Sequence, residues 1–77
     1  MSLQRTILRN LETRANGMMP TGTLWGEVMI DEPGTTYSAF AKALTELEIK
    51  GQIVTVEGEE RRKAKITDAG RARLLEI

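Results

Sequence analysis

At Gly51 the hydrophobic period of the chain changes. Upstream, Phe40, Leu44 and Leu47 recur at the spacing that lines one face of a helix; downstream, Ile53-Val54-Thr55-Val56 is a β-branched run suited to a strand. The glycine between them stops the helix. Glu57-Gly58-Glu59-Glu60 then reads as a turn. Arg62-Lys63-Ala64-Lys65-Ile66 reads as a returning strand, with Ala64 and Ile66 on the face opposite Lys63 and Lys65. A helix feeding a hairpin with one wet, basic side is the unit the other segments have to pack against.

Those segments are short and well punctuated. Leu3, Ile7, Leu8 and Leu11 predict a first helix near 2–14, ended by Asn16-Gly17, two residues that tolerate a left-handed backbone. Met18-Met19-Pro20 follows as a short extended piece. Leu24, Trp25, Val28 and Met29 stripe a second helix over 23–30, which Gly22 and Gly26 weaken and Asp31-Glu32-Pro33-Gly34 breaks. Thr35 or Thr36 caps the third helix, with Tyr37 at the upper edge of its apolar face. Thr67 or Asp68 caps a last helix through Leu74 and Leu75, inside which Gly70 costs about 1 kcal/mol against alanine. The fold class that results is mostly α with a small antiparallel β-hairpin, α+β, in one domain spanning residues 1–77. Trp25, Met18, Met19 and Met29 read as core and gap-filling residues.

Composition narrows the chemistry. The chain has no cysteine, hence no disulfide and no thiolate metal site, and no histidine, the most versatile acid–base group and a common metal ligand. Tyr37 and Ser38 have nothing to activate them, and Asp31-Glu32 is a loop pair beside a proline rather than two converging carboxylates. Gly17, Gly22 and Gly26 lack the lysine and the strand-to-helix setting of a phosphate loop. The expectation is no enzyme, no cofactor and no metal. Without an apolar run near the roughly 18 residues of a membrane helix, and with no signal-like start, the expected setting is the cytoplasm, away from any membrane. Eleven basic residues balance eleven acidic ones, so any grip on a polyanion has to be local. Arg61, Arg62, Lys63 and Lys65 are the richest cluster, and they follow directly on Glu57, Glu59 and Glu60.

The run from Phe40 through Leu44, Leu47 and Gly51 into Ile53-Val54 resembles the recognition helix and wing of winged helix-turn-helix proteins. Ile66-Thr67-Asp68-Ala69-Gly70 is similar to the I-T-x-x-G exit from the wing in many bacterial and archaeal regulators of this type. The resemblance covers nearly the whole chain. It implies a small DNA-binding domain of the transcription-regulator kind, with helix 36–50 in the major groove of double-stranded DNA and wing strand 61–65 on phosphates. The same fold also serves as a protein–protein interaction module or as a subunit of a larger complex, and that is the alternative.

With Phe40, Leu44 and Leu47 turned inward, the residues offered to base edges are Thr36, Ser38, Ala39 and Lys42, with Thr45 further along; Thr35, Arg61, Arg62, Lys63 and Lys65 are the phosphate candidates. A plainer account stands beside each. Thr35, Thr36 and Ser38 start a helix in any protein, Lys42 and Glu46 at i and i+4 make a solvated pair, and the wing cations keep an exposed strand soluble. Glu46 and Glu48 oppose DNA at the later turns. The first and last helices of this fold commonly pair between subunits, and Leu3, Leu75 and Ile77 are apolar residues that a core this small leaves uncovered. A homodimer spacing two recognition helices about 34 Å apart is the corresponding expectation.

Overall fold

The computed structural model describes residues 2–58 and 61–76. Along the chain run α1 (Leu3–Glu12), β1 (Met18–Pro20), α2 (Thr21–Asp31), α3 (Tyr37–Ile49), β2 (Ile53–Glu57), β3 (Arg62–Ile66) and α4 (Asp68–Leu74). The three strands form one antiparallel sheet in the order β1-β3-β2. The expected turn residues Glu59 and Glu60, and Ile77 of the expected apolar end, lie outside the described residues.

α1 is the central element, packed on α2, α3, α4 and β3. Its Ile7, Leu8 and Leu11 join Met19, Leu24, Val28, Phe40, Ala43, Leu47, Ile53, Ala64 and Ile66 in one buried cluster, with Leu3, Trp25, Leu44 and Leu74 packed against its edge. Trp25 and Met19 therefore occupy the core or its rim as the sequence suggests, whereas Met29 is 44% exposed. Leu44 is only half-buried, and Ala43 takes the deeper place on α3. Leu44 instead lines the groove toward Ile53, Thr55 and Ala64, which leaves it partly open to solvent. Thr6, the buried polar residue of α1, donates its hydroxyl to Glu32 Oε1 at 3.0 Å and so meets its hydrogen-bonding requirement inside the fold.

Each boundary has a chemical cause. α1 ends at Glu12, two residues short of the 2–14 reading and four before Asn16, which with Gly17 stands at positive φ (65° and 61°). α2 starts two residues earlier than the 23–30 reading, directly at Thr21 after Pro20, whose extended backbone (φ -58°, ψ 142°) ends β1. α3 is capped by Thr36, whose hydroxyl accepts from the Ala39 amide at 3.1 Å. At its other end Gly51 (φ 73°) donates to the Glu48 carbonyl at 3.0 Å while Gln52 donates to Leu47 at 2.9 Å. This paired closure is a Schellman motif, and it turns the chain straight into β2.

The exit Ile66-Thr67-x-x-Gly70 is held to that turn. Thr67 donates its hydroxyl to the Gly51 carbonyl at 2.6 Å, accepts from the Gly70 amide at 3.2 Å to cap α4, and donates its own amide to the Gln52 carbonyl at 3.0 Å. Gly70 is buried where a side chain has no room: a β-carbon there would sit 2.7 Å from Ile66 Cγ1 and overlap the Gln52 carbonyl oxygen. The helix-weakening glycine is thus the residue that lets α4 lie on the α3–β2 turn. Finally, Arg5 reaches from α1 to the last turn of α4, donating to the carbonyls of Arg73 (3.0 Å), Leu74 (3.5 Å) and Glu76 (3.3 Å). These are carbonyls that a helix end leaves without intrahelical partners.

Candidate nucleic-acid interface

α3 buries Phe40, Ala43 and Leu47 and half-buries Ala41, Leu44 and Glu46, and its remaining face is open. At 100° per residue, Ser38, Lys42, Thr45 and Ile49 form one stripe opposite the buried one, and all four are exposed. Thr36 and Ala39 are exposed at the helix start, and Thr35 is half-buried in the preceding turn. The Thr45 hydroxyl is spent on the Ala41 carbonyl at 3.0 Å. Among the described residues Lys42 has no ion-pair or hydrogen-bond partner, and the i,i+4 pair with Glu46 is not formed. Glu46 instead accepts from Gln4 Nε2 at 3.1 Å on the α1 flank of the helix.

On the other flank α3 faces the hairpin across an open groove of about 160 Å³. Tyr37, Thr45 and Glu48 line one wall, and Thr55 and Arg62 the other. Thr55 donates across it to Glu48 Oε2 at 2.8 Å. Tyr37 is 63% exposed. Its ring meets Trp25 edge-on at 5.5 Å and 82°, a favourable aromatic contact that anchors it at the mouth of the groove.

The register divides the basic cluster between two faces. Ile53 pairs with Ile66, Val54 with Lys65, Thr55 with Ala64, Val56 with Lys63 and Glu57 with Arg62. By the two-residue alternation of a strand, Arg62 stands on the same face as Ala64 and Ile66, toward the groove. Lys63 and Lys65 stand on the far face beside Val54 and Val56, with Met18 and Pro20 of β1 in the adjoining row. Arg62 binds Glu57 Oε1 through Nε at 3.1 Å, but both side chains are mostly solvated, so the pair is weak and readily given up. Arg61, Lys63 and Lys65 have no side-chain partner among the described residues.

The structure therefore leaves Thr36, Ser38, Ala39 and Lys42 exposed at the start of α3, and sets Arg62 across a groove from Tyr37, Thr45 and Glu48 on one flank of that helix. It does not bring Lys63 and Lys65 onto that face. Parity was the available signal, since Arg62 lies two residues from Ala64. Tyr37 as a groove wall is an addition: its position three residues before Phe40 suggests the apolar edge, and the turn of the helix carries it past that edge. Among the described residues, no group of acidic side chains is arranged to hold a metal ion, and no helix is long and apolar enough to cross a membrane. Comparison with protein-family models, with curated proteins and with solved structures returns no match.

Proposed function

We propose that the chain is a winged-helix domain that binds double-stranded DNA, with residues 36–50 in the major groove and the β2–β3 hairpin as the wing. The observation that carries this reading is the exposed start of α3, Thr36, Ser38, Ala39 and Lys42, with Lys42 unpaired among the described residues, standing beside a hairpin whose Arg61, Arg62 and Lys65 are exposed. A helix presents its N-terminal half to base edges when it enters the groove, and small polar side chains permit close approach. Serine and threonine hydroxyls bond either a base or a phosphate, and Lys42 reaches guanine acceptors or a phosphate. Thr35 and Arg62 take phosphates on the α3 side of the hairpin, and Arg61 takes one from the turn just before β3. Lys63 and Lys65 take the flanking backbone beyond the wing.

The test is duplex binding by fluorescence anisotropy at two salt concentrations, for the parent and for the variant with Arg61, Arg62, Lys63 and Lys65 all changed to alanine. Each phosphate contact contributes roughly 0.9 to the slope of log affinity against log salt. The parent binds with a steep slope and the variant with a shallower one. Equal affinity and slope in the two proteins rule out the phosphate role of the wing.

A second reading is favoured by a different observation: Leu75 and Ile49 are 85% and 79% exposed, and Leu3 is only partly buried. Leu75 and Leu3 at the α1–α4 end, and Ile49 at the end of α3, are apolar side chains that suit a subunit contact, whether a homodimer of this domain or a larger assembly. Sedimentation of the Leu75→Glu variant tests it.

A further inference from the structure

We infer that Gln4 is a positioning residue for the DNA-reading face: it holds Glu46 on the α1 flank of α3 and so leaves Lys42 free to contact the duplex. The inference rests on the DNA-binding reading and adds a determinant on an element that touches no DNA in it.

The Gln4 side chain joins three elements. Its Nε2 donates to Glu46 Oε2 at 3.1 Å, and its Oε1 accepts from Lys50 Nζ at 3.2 Å and from Arg73 Nη1 at 2.7 Å. The same Arg73 nitrogen donates to Gln52 Oε1 at 2.8 Å. The orientation of the amide follows from its neighbours, because the reversed amide would turn its NH₂ on two cations and its oxygen on a carboxylate. Glutamine alone among the side chains of this length supplies a donor to Glu46 and an acceptor to two cations at once.

The consequence lies one helical turn away. Glu46 is four residues from Lys42, at the spacing where opposite charges meet on a helix. Held by Gln4, it forms no ion pair with Lys42. An amide thus turns the nearest carboxylate of the helix toward α1 and leaves a lysine on the exposed stripe. Freed from Gln4, the Glu46 carboxylate has Lys42 within reach, and a duplex phosphate or guanine then competes with an internal partner for the same ammonium group.

The experiment is a cycle of four proteins: parent, Gln4→Met, Glu46→Gln and the double variant. Methionine keeps the length of the side chain and removes both of its polar ends; Glu46, Lys50 and Arg73 all retain access to solvent, so the fold survives, as a thermal melt checks. Gln4→Met lowers duplex affinity roughly three- to tenfold, as expected for a side chain coupled to a site it does not touch. Glu46→Gln in that background restores it, which loss of packing alone would not allow. Reactivity of Lys42 toward an acetylating reagent, read by mass spectrometry without DNA, falls in Gln4→Met and recovers in the double variant. Unchanged Lys42 reactivity in Gln4→Met, as when Lys50 captures the freed Glu46, overturns the inference, and so does a loss of affinity that Glu46→Gln fails to rescue. A parent that binds no duplex overturns the DNA-binding reading instead, and the labelling result then decides the Gln4–Glu46–Lys42 relation by itself.

Discussion

Gly70→Ala separates two physical effects that the sequence alone cannot rank. Helix propensity says that alanine stabilises an interior helical position by about 1 kcal/mol over glycine. Packing says the opposite. The new methyl group would lie 2.7 Å from Ile66 Cγ1 and 3.2 Å from Leu8 Cδ2, and would overlap the Gln52 carbonyl, which is itself fixed by the Thr67 amide at 3.0 Å. Overpacking a tight site costs typically 1–3 kcal/mol, and displacing the carbonyl forfeits a hydrogen bond worth about 1 kcal/mol. The steric cost wins, and the net loss is about 1–3 kcal/mol. For a domain of this size each kcal/mol moves the melting temperature by about 4–8 °C, so a loss in the middle of that range lowers it by roughly 8–16 °C. Urea and thermal denaturation followed by circular dichroism measure both quantities. Gly26→Ala is the internal control, since its β-carbon meets nothing within 4 Å; it raises stability by about 0.5–1 kcal/mol. A Gly70→Ala protein as stable as Gly26→Ala would refute the close-approach argument.

Three further outcomes follow from the same geometry. Thr36→Ala removes the acceptor for the Ala39 amide and lowers stability by about 1 kcal/mol in urea denaturation, whereas Thr35→Ala, at a position that caps nothing, changes it by less than about 0.5 kcal/mol. Arg5→Met releases the last carbonyls of α4 and speeds amide exchange in residues 72–76 roughly tenfold, with little effect in β2 and β3. In salt-dependent duplex binding, Arg61→Ala/Arg62→Ala weakens affinity more than Lys63→Ala/Lys65→Ala, because Arg62 shares the groove with α3 while the two lysines stand on the far face; the reverse ranking would transfer the interface to that face.

What the sequence makes legible is local. The change of period at Gly51 locates the helix and the hairpin, and Asn16-Gly17 and Thr36 locate two boundaries, because each of these signals acts within a few residues. The half-buried state of Leu44 and the burial of Ala43 depend on which elements pack against each side of α3, which periodicity does not contain. The roles of Gln4 and Gly70 are further out of reach. Gln4 meets Glu46 and Arg73 across separations of 42 and 69 residues, and Gly70 matters only through the Gln52 carbonyl. The solvated Lys42–Glu46 pair fails for the same reason: a residue from another helix claims the carboxylate.

The tie from Arg5 to the final carbonyls of α4 sets the beginning and the end of the described chain side by side. A few residues of flexible linker would join them, and the Pro33-Gly34 turn, exposed and with open space around Gly34, would then serve as the opening of a circular permutant. Such a rearranged protein would keep every helix and strand intact while moving its free ends next to the start of α3, where a fluorophore attached to either end would report directly on whatever settles there.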